Sequence, residues 1–562
     1  MNINYIKLIF ISLFVIVSLS HPAQDPSGTG NAKITFYVTV DCYTPPGETV
    51  CLAWSGNVYD SITGTRINPN TWRIILDRFN VGDTLSYMYC RNKTPAGGYE
   101  VYDNAPNINW RKLKIASADM TVYDTIVEWK WLPKNGKMPK INASAYSKKR
   151  PMIYARDTFM NGVCFIDWYE NGWEFGWEST LDKIVQNCRG DWIQYWQGFT
   201  VDQYEPTPIL VGQPEVGTPH DVLEYLVKEA HKRGLKVYLN LFPGNGYEVQ
   251  GDPGGRSISW YNEWFNQLEP IILDFATFSN ENNVEMIDFD VSLTCLSGKT
   301  GMGGVYDRKA TSLLKKVKKK YKGLISTWVY PCEPEWDYYH EIDYFYFNFC
   351  TWFPWKLLNT SNPSVDMIYD KIKTKLDNYL FPLNRRYGKP NIFSLGVPSF
   401  DGAIMQIIHW DDENITGGET GVTFDGQEQA DMYEAFFRYV AERDIIHGVQ
   451  CFWYNYWDAL DHSPSVRAKP VEKEVIAKWF KWFSPKRVSL SISSTSGGTT
   501  KPSPASYIKK KGKTVNLKAI ASPGYKFIKW RGKGTKKIRY KNPATLKMNK
   551  DKVVKAIFQK ID

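Results

Sequence analysis

The chain has 562 residues, with 69 Lys and Arg against 59 Asp and Glu, a formal charge of +10. Hydrophobic residues make up 43% and charged residues 23%, which excludes a disordered chain and, at this length, a single domain. Nine cysteines and seven histidines lie scattered, without a Cys-x-x-Cys pair, a zinc-type cluster or a phosphate-binding glycine loop, so no metal, cofactor, nucleotide or nucleic acid is assigned.

Residues 1–23 read as an export signal: Lys7, then the apolar run Leu8–Leu19, then a change to polar residues. The run is short for a membrane span, and no later segment is long and apolar enough. A secreted protein, extracellular or attached to a cell surface and without a transmembrane anchor in the mature chain, is therefore expected. Sequons at Asn92, Asn142, Asn359 and Asn414 are compatible with export. Cys42 and Cys51 are close enough in sequence to pair.

Residues 32–132 alternate in short runs: Lys33–Val40, Thr49–Trp54, Thr84–Cys90, Trp110–Ile115 and Thr125–Trp131. Turn residues separate them, which predicts a β-sandwich. Residues 133–150 are a Lys/Pro/Ser/Asn-rich linker.

Residues 151–486 alternate apolar runs with amphipathic stretches eight times, the pattern of a (β/α)8 TIM barrel. The predicted strands are Gly162–Trp168, Trp192–Phe199, Leu235–Leu241, Val284–Leu293, Leu324–Tyr330, Tyr344–Phe349, Asn391–Val397 and Gly448–Trp453. Predicted helices include His220–Arg233, Thr311–Tyr321, Val365–Leu380, Glu428–Arg443 and Val471–Phe483.

Residues 487–562 alternate again, at Ser489–Ile492, Thr514–Ile520, Tyr525–Trp530 and Val553–Phe558, and predict a small β-domain. This tail holds 20 Lys and Arg against two Asp, so it carries +18 and residues 1–486 carry −8. A module so charged suggests an anionic cell-surface polymer as partner. A lysine-rich face that only keeps the domain soluble is the plainer alternative.

Three resemblances follow from these residues. Thr44–Val50 (TPPGETV), Val81–Tyr89 (VGDTLSYMY) and Val122–Trp129 (VYDTIVEW) look like a starch-binding carbohydrate-binding module. Trp72, Trp110, Trp129 and Trp131 are the candidate sugar platforms there, since aromatic rings offer flat apolar faces to pyranoses. Core packing is the competing role for each. Ser522–Trp530 (SPGYKFIKW) followed by Val553–Phe558 (VVKAIF) resembles the internalin-type B repeat of surface proteins. Gly162–Trp168, Ala230–Val237, Gly388–Pro390, Gln427–Tyr433 and Gly448–Trp457 resemble clan A of the glycoside hydrolases, most nearly its β-mannanase-like families.

The clan A resemblance implies two glutamates, an acid/base ending the fourth strand and a nucleophile ending the seventh. Here Ser292 and Ser394 fall on those places. The two-glutamate assignment therefore does not carry over, and other carboxylates become the candidates. Asp288 and Asp290 share a strand face, where like charges push one pKa up and leave the other group ionised, which suits acid and base roles. Glu333 after the fifth strand and Asp401 after the seventh are further catalytic candidates. Candidate substrate contacts at strand ends are Asp167, Trp168, Trp196, Asn240, Trp328, Tyr330, Asn348, Trp352, Trp453 and Trp457.

Two readings stay open. One is a polysaccharide-degrading glycoside hydrolase with a non-standard carboxylate site, favoured by the acidic fourth strand. The other is a non-catalytic glycan-binding or cell-surface protein on a degenerate barrel, favoured by the missing glutamates.

Overall fold

The computed structural model describes residues 30–45, 48–54, 57–92, 94–101, 110–133, 135–151, 158–165, 174–203, 206–212, 217–243, 257–289, 302–329, 336–349, 358, 360, 362–404, 423–454 and 458–561. The proposed export signal lies outside these residues.

The barrel sheet follows the alternation of apolar runs closely. Its eight parallel strands are Met160–Phe165, Trp192–Gln203, Lys236–Pro243, Met286–Asp288, Leu324–Trp328, Tyr344–Phe349, Asn391–Leu395 and Ile446–Phe452, and the first pairs with both the second and the eighth, closing the ring. A short strand, Ile209–Val211, adds antiparallel to the end of the second. Predicted strand ends beyond Phe165, in 290–293 and at Tyr330 lie outside the described residues.

Helices wrap the sheet where the 3.6-residue period places them. His220–Arg233 buries Leu223, Leu226, Val227 and Ala230 and stops at Gly234, whose φ of 80° is the left-handed cap that its Ala230-directed amide requires. Val365–Tyr387 runs past its predicted end, through Pro382, because Leu380 and Tyr387 also bury. Ile258–Glu281, absent from the predicted set, is a long helix held by Trp260, Trp264, Leu268 and Ile272 in the core.

The amino-terminal region is two facing sheets. One is ordered Thr65–Asn68, Thr71–Phe79, Ala32–Val40, Asp119–Ile126. The other is ordered Asn57–Thr63, Val50–Trp54, Thr84–Arg91, Thr94–Tyr99, with Arg111–Lys114 also on Thr84–Arg91. Ile34, Phe36, Leu52, Ile74 and Tyr89 fill the space between them. The predicted strand Thr125–Trp131 is corrected: the strand is Asp119–Ile126, and Trp131 sits in a turn with φ 65°.

The tail forms two small sheets, ordered Ala505–Lys510, Arg487–Ser494, Lys552–Lys560, Tyr525–Arg531 and Gly498–Lys501, Thr514–Ala521, Ala544–Lys547. Both close over a fully buried Trp530.

The flanking regions meet different segments of the barrel. The tail meets segments that precede barrel strands. Arg487 pairs with buried Asp191, Arg189 with Asp551, and the Ser506 amide donates to Asp182 at 2.8 Å. The amino-terminal sandwich meets the segment that follows the eighth strand. Arg91 pairs with Glu48 at 2.6 Å and donates to the Asp458 carbonyl at 3.0 Å, and the Leu460 amide donates to the Trp131 carbonyl at 2.7 Å.

Arg91 and Glu48 are both buried, so removing one strands the other. Arg91→Ala is expected to destabilise the sandwich–barrel junction by about 3–5 kcal/mol, while Arg91→Met/Glu48→Leu recovers most of the loss. Urea unfolding followed by tryptophan fluorescence checks both; equal midpoints for wild type and Arg91→Ala would refute the account.

Candidate active site

Along each barrel strand alternate residues face inward. The inward set carries an aromatic and aliphatic cluster of Met160, Cys164, Trp192, Trp196, Tyr238, Met286, Trp328, Tyr346, Ile392 and Phe452. Near the carboxyl ends of the strands, Trp196 meets Trp328 edge to face at 5.4 Å, Trp328 meets Tyr346 at 5.3 Å, and Trp196 meets Phe452 at 5.9 Å.

Beside these rings runs a chain of hydrogen bonds. The Tyr346 hydroxyl donates to Gln194 Oε1 at 2.9 Å, and Gln194 Nε2 donates to Asn240 Oδ1 at 2.7 Å. Asn240 Nδ2 donates to the Tyr238 hydroxyl oxygen at 3.4 Å, which lies 2.8 Å from Ser326 Oγ. Ser326 Oγ donates to Asp288 Oδ1 at 2.9 Å. The Tyr238 hydroxyl also lies 3.5 Å from Asp288 Oδ1, and Ser326 Oγ lies 3.2 Å from the Ile287 carbonyl, so both hydroxyls have acceptors at the Asp288 end of the chain. All six side chains are buried. Burial first, and the Asp288 charge second, push the Tyr238 phenol well above its ordinary pKa, so it stays a donor.

Of the predicted site residues, the structure gathers Asp288, Trp196, Asn240 and Trp328 inside the barrel. Trp196 and Trp328 are only 5% and 4% exposed, so they pack as part of the barrel interior. Trp453 follows the eighth strand, half-buried, against Phe452. Ser394 faces inward, fully buried, on the strand face of Ile392, with Asn348 and Gln450 opposite it in register. Asp290, Glu333, Asp167, Trp168, Tyr330, Trp352 and Trp457 lie outside the described residues, as does the Asn348 side chain.

Sequence reasoning missed Gln194, Tyr238, Ser326 and Tyr346. Their signal was present: each is a polar or hydroxyl-bearing residue at an even step within an otherwise apolar strand, two residues from a named candidate.

Asp401 is exposed and stands apart from this interior. It lies beside Asp425 and Glu428, with one carboxylate oxygen of each within 4.8 Å of the others. Glu428 accepts from the amides of Gly402 at 2.8 Å and Ile404 at 2.6 Å, and Asp425 caps the helix Gly426–Ala441 by accepting from Gln427 and Glu428. Glu428 and Asp425 thereby hold a loop and a helix start together.

In the sandwich, two of the four tryptophans are corrected. Trp72 and Trp129 are 3% and 1% exposed, in the core between the sheets, and Trp129 Nε1 donates to Thr44. Trp110 is half-buried against Cys51, Ala53, Met88 and Cys90. Trp131 is turned toward the barrel, edge to face with His462 at 5.8 Å. The open aromatic surface lies elsewhere: Tyr123, 78% exposed, stacks on Tyr37 at 5.4 Å across two paired strands.

The profile of Glycoside Hydrolase Family 113 matches residues 176–469, more than half of the chain, and that of the divergent InlB B-repeat domain matches residues 488–562. Among solved structures, a GH113 β-1,4-mannanase is similar at 19% identity and TM-score 0.44, covering 57% of this chain and 99% of that one. The GH113 β-mannanase AaManA from Alicyclobacillus acidocaldarius is similar at 17% identity and TM-score 0.44, covering 58% and 98%. A β-D-glucuronidase of Dictyoglomus thermophilum follows at 10% identity and TM-score 0.36, covering 77% and 64%. No curated protein is a match.

Burial pushes Glu428 from 4.5 up to about 7, against its two amide donors and with the nearby Asp425 and Asp401 charges adding to the rise. A carboxyl whose folded pKa is raised favours the fold fully below its unfolded value, and that contribution is lost as pH climbs through the folded value. Stability is therefore expected to fall between pH 4.5 and about 7. Glu428→Gln should flatten this part of the profile relative to wild type. Urea midpoints measured across that window check it; parallel profiles would refute the assignment.

Proposed function

The chain belongs to Glycoside Hydrolase Family 113 and is a glycoside hydrolase, and we propose that it degrades a polysaccharide outside the cell with a carboxylate site that departs from the two-glutamate pattern. The observation that carries this reading is the pairing of a serine with an aspartate inside one barrel. Ser394 faces inward on the seventh strand where the pattern wants a glutamate, and Asp288 faces inward on the fourth as the terminus of a buried donor chain.

Asp290 is two residues further along the strand-four sequence than Asp288, on the side of the strand end where this fold does its chemistry. Glycoside cleavage needs a proton donor at the leaving oxygen and a second carboxylate as nucleophile or base. We assign the first role to Asp290 and leave Glu333 and Asp401 as the candidates for the second. Asp288 acts as the fixed charge below, disfavouring ionisation of its neighbour. The Tyr346-to-Asp288 chain holds that charge in place. Asp167, Trp168, Asn240, Tyr330, Asn348, Trp352, Trp453 and Trp457 are the proposed substrate contacts.

The amino-terminal sandwich is proposed as a polysaccharide-binding module, with Tyr123 and Tyr37 replacing the tryptophans as its platform. Residues 1–23 are its proposed export signal, and the basic tail its proposed contact with an anionic surface polymer.

Asp290→Asn is expected to lower turnover on a cleaved polysaccharide by about two to four orders of magnitude with the fold intact by circular dichroism. Asp288→Asn should retain more activity and move the alkaline limb of the pH–rate profile to lower pH, since removing the neighbouring charge lowers the acid's pKa. A wild-type rate for Asp290→Asn would remove it from the mechanism.

Tyr123→Ala in the full chain should release the protein from insoluble starch or a related glucan without changing its rate on a soluble oligosaccharide. Equal retention of variant and wild type would leave the sandwich a spacer.

A further inference from the structure

The tail presents one surface built unlike the rest of it. Between Arg531 and Lys541 six Lys and Arg occur within eleven residues, with no acidic residue among them. All six are exposed, and among the described residues none of their side chains pairs with a carboxylate. The segment folds back on itself to enclose a surface pocket of about 490 Å³ lined by Lys536, Lys537, Arg539, Tyr540 and Lys541, together with the small residues Gly532, Gly534 and Thr535.

The backbone that makes this pocket is specified. Gly532 has φ 127°, and a Cβ there would come 2.1 Å from the Val553 carbonyl oxygen. Just before the turn Lys536–Ile538, Thr535 Oγ1 donates to the Gly532 carbonyl at 2.9 Å, and Ile538 is buried. The Trp530 indole donates to the Lys541 carbonyl at 2.8 Å, and the Trp530 amide to the Arg539 carbonyl at 2.7 Å, so the loop is bound to the domain's core at both ends. The cations are therefore held close together on a fixed frame, at a cost in mutual repulsion. Tyr540 stands among them 71% exposed, a large ring with an open face.

Sheet order places the pocket at the edge away from the first two strands. In the order Ala505–Lys510, Arg487–Ser494, Lys552–Lys560, Tyr525–Arg531, the first two strands carry the contacts to Asp182, Asp191 and Arg189 of the barrel. The pocket follows the last strand, at the opposite edge.

We propose that Arg531–Lys541 is a binding site for a carboxylate-bearing polysaccharide, with Lys536, Lys537 and Arg539 meeting its charges and Tyr540 stacking on a sugar ring. Clustered unpaired cations call for an anion; an open phenol ring beside them calls for a pyranose face, which a bare phosphate polymer does not offer. The proposal rests on the reading of the tail as a module for an anionic polymer and gives that reading an address.

The test uses the full-length protein with polygalacturonate, dextran sulfate, inorganic polyphosphate, single-stranded DNA and neutral soluble starch as probes, at about 0.15 M salt, where charge attraction reaches only about 8 Å. Lys536→Gln/Lys537→Gln/Arg539→Gln should weaken polygalacturonate binding about tenfold, the sum of three exposed charge contacts. Tyr540→Ala should weaken it by a similar factor while leaving polyphosphate binding unchanged. Lys510→Gln/Lys511→Gln/Lys513→Gln removes the same charge from another exposed turn and should change binding less than about threefold. Equal losses from the two triple variants would overturn the pocket while keeping the anionic-partner reading. Failure of wild type to bind any anionic probe would overturn that reading itself. Tighter binding to DNA or polyphosphate than to polygalacturonate, or indifference to Tyr540→Ala, would overturn the sugar.

Discussion

A closed parallel barrel gives its inward side chains no sheet edge and no route to water, so each polar group inside must find its partner inside. In this chain a run of side-chain hydrogen bonds from Tyr346 to Asp288 answers that constraint for six of the inward polar groups. A carboxylate buried without partners would cost several kcal/mol. Here Ser326 and Tyr238 hold it, Asn240 and Gln194 hold them, and Tyr346 closes the series from the sixth strand. Hydrogen bonds joined in a network support one another, so the arrangement is more rigid than its members taken singly. The aromatic cluster of Trp196, Trp328 and Phe452 depends on it too, because Tyr346 belongs to both the rings and the donors.

The same logic of buried charge sets the junctions. Asp191 is fully buried at the start of the second strand, and burial pushes it up to about 6 even with Arg487 beside it. Asp458, after the eighth strand, is held well below the usual carboxylate range by Arg467 and Lys183 despite its burial. At the tail junction the neighbouring module supplies the cation itself, Arg487, whereas at the sandwich junction barrel cations hold the Asp458 carboxylate and the sandwich, through Arg91 and Glu48, holds its backbone. Apolar packing adds to these charges, with Ile508 of the tail against the barrel core and Trp131 of the sandwich against His462, so lost contact at either place both exposes apolar surface and leaves charged groups with poorer partners.

Much of the fold was legible because parallel strands buried on both faces read as continuous apolar runs, and this chain's runs are long and well separated. Tyr344–Phe349 and His220–Arg233 match their predicted bounds residue for residue. The helix Ile258–Glu281 escaped because its aromatic residues and Pro270 obscure the helical period. In the sandwich, Thr125–Trp131 misled because Thr125, Val127 and Trp129 keep the two-residue period beyond the point where pairing stops at Ile126. For the proposed site, the strand period gave direction rather than mechanism. Period two on one strand shows that Asp288 and Ser394 point inward, but hydrogen bonds between strands, such as Gln194 to Asn240, depend on register that no single strand encodes. Trp72 and Trp129 of the sandwich failed as platforms for a related reason. Composition shows a large ring, and only packing shows that Trp72 and Trp129 face the core while Tyr123 faces water.

Topology then ties the modules to the chemistry. Barrel strands all run one way, so segments before them lie at one end and segments after them at the other. The tail contacts Arg189 and Asp191, which precede the second strand; the sandwich contacts Asp458 and Leu460, which follow the eighth. Substrate chemistry in this fold belongs to the second end. Asp182 and Lys183, however, are neighbours in the chain: Asp182 accepts from the Ser506 amide of the tail, and Lys183 pairs with Asp458, which the sandwich holds through Arg91, so the one barrel helix Glu174–Lys183 serves both junctions.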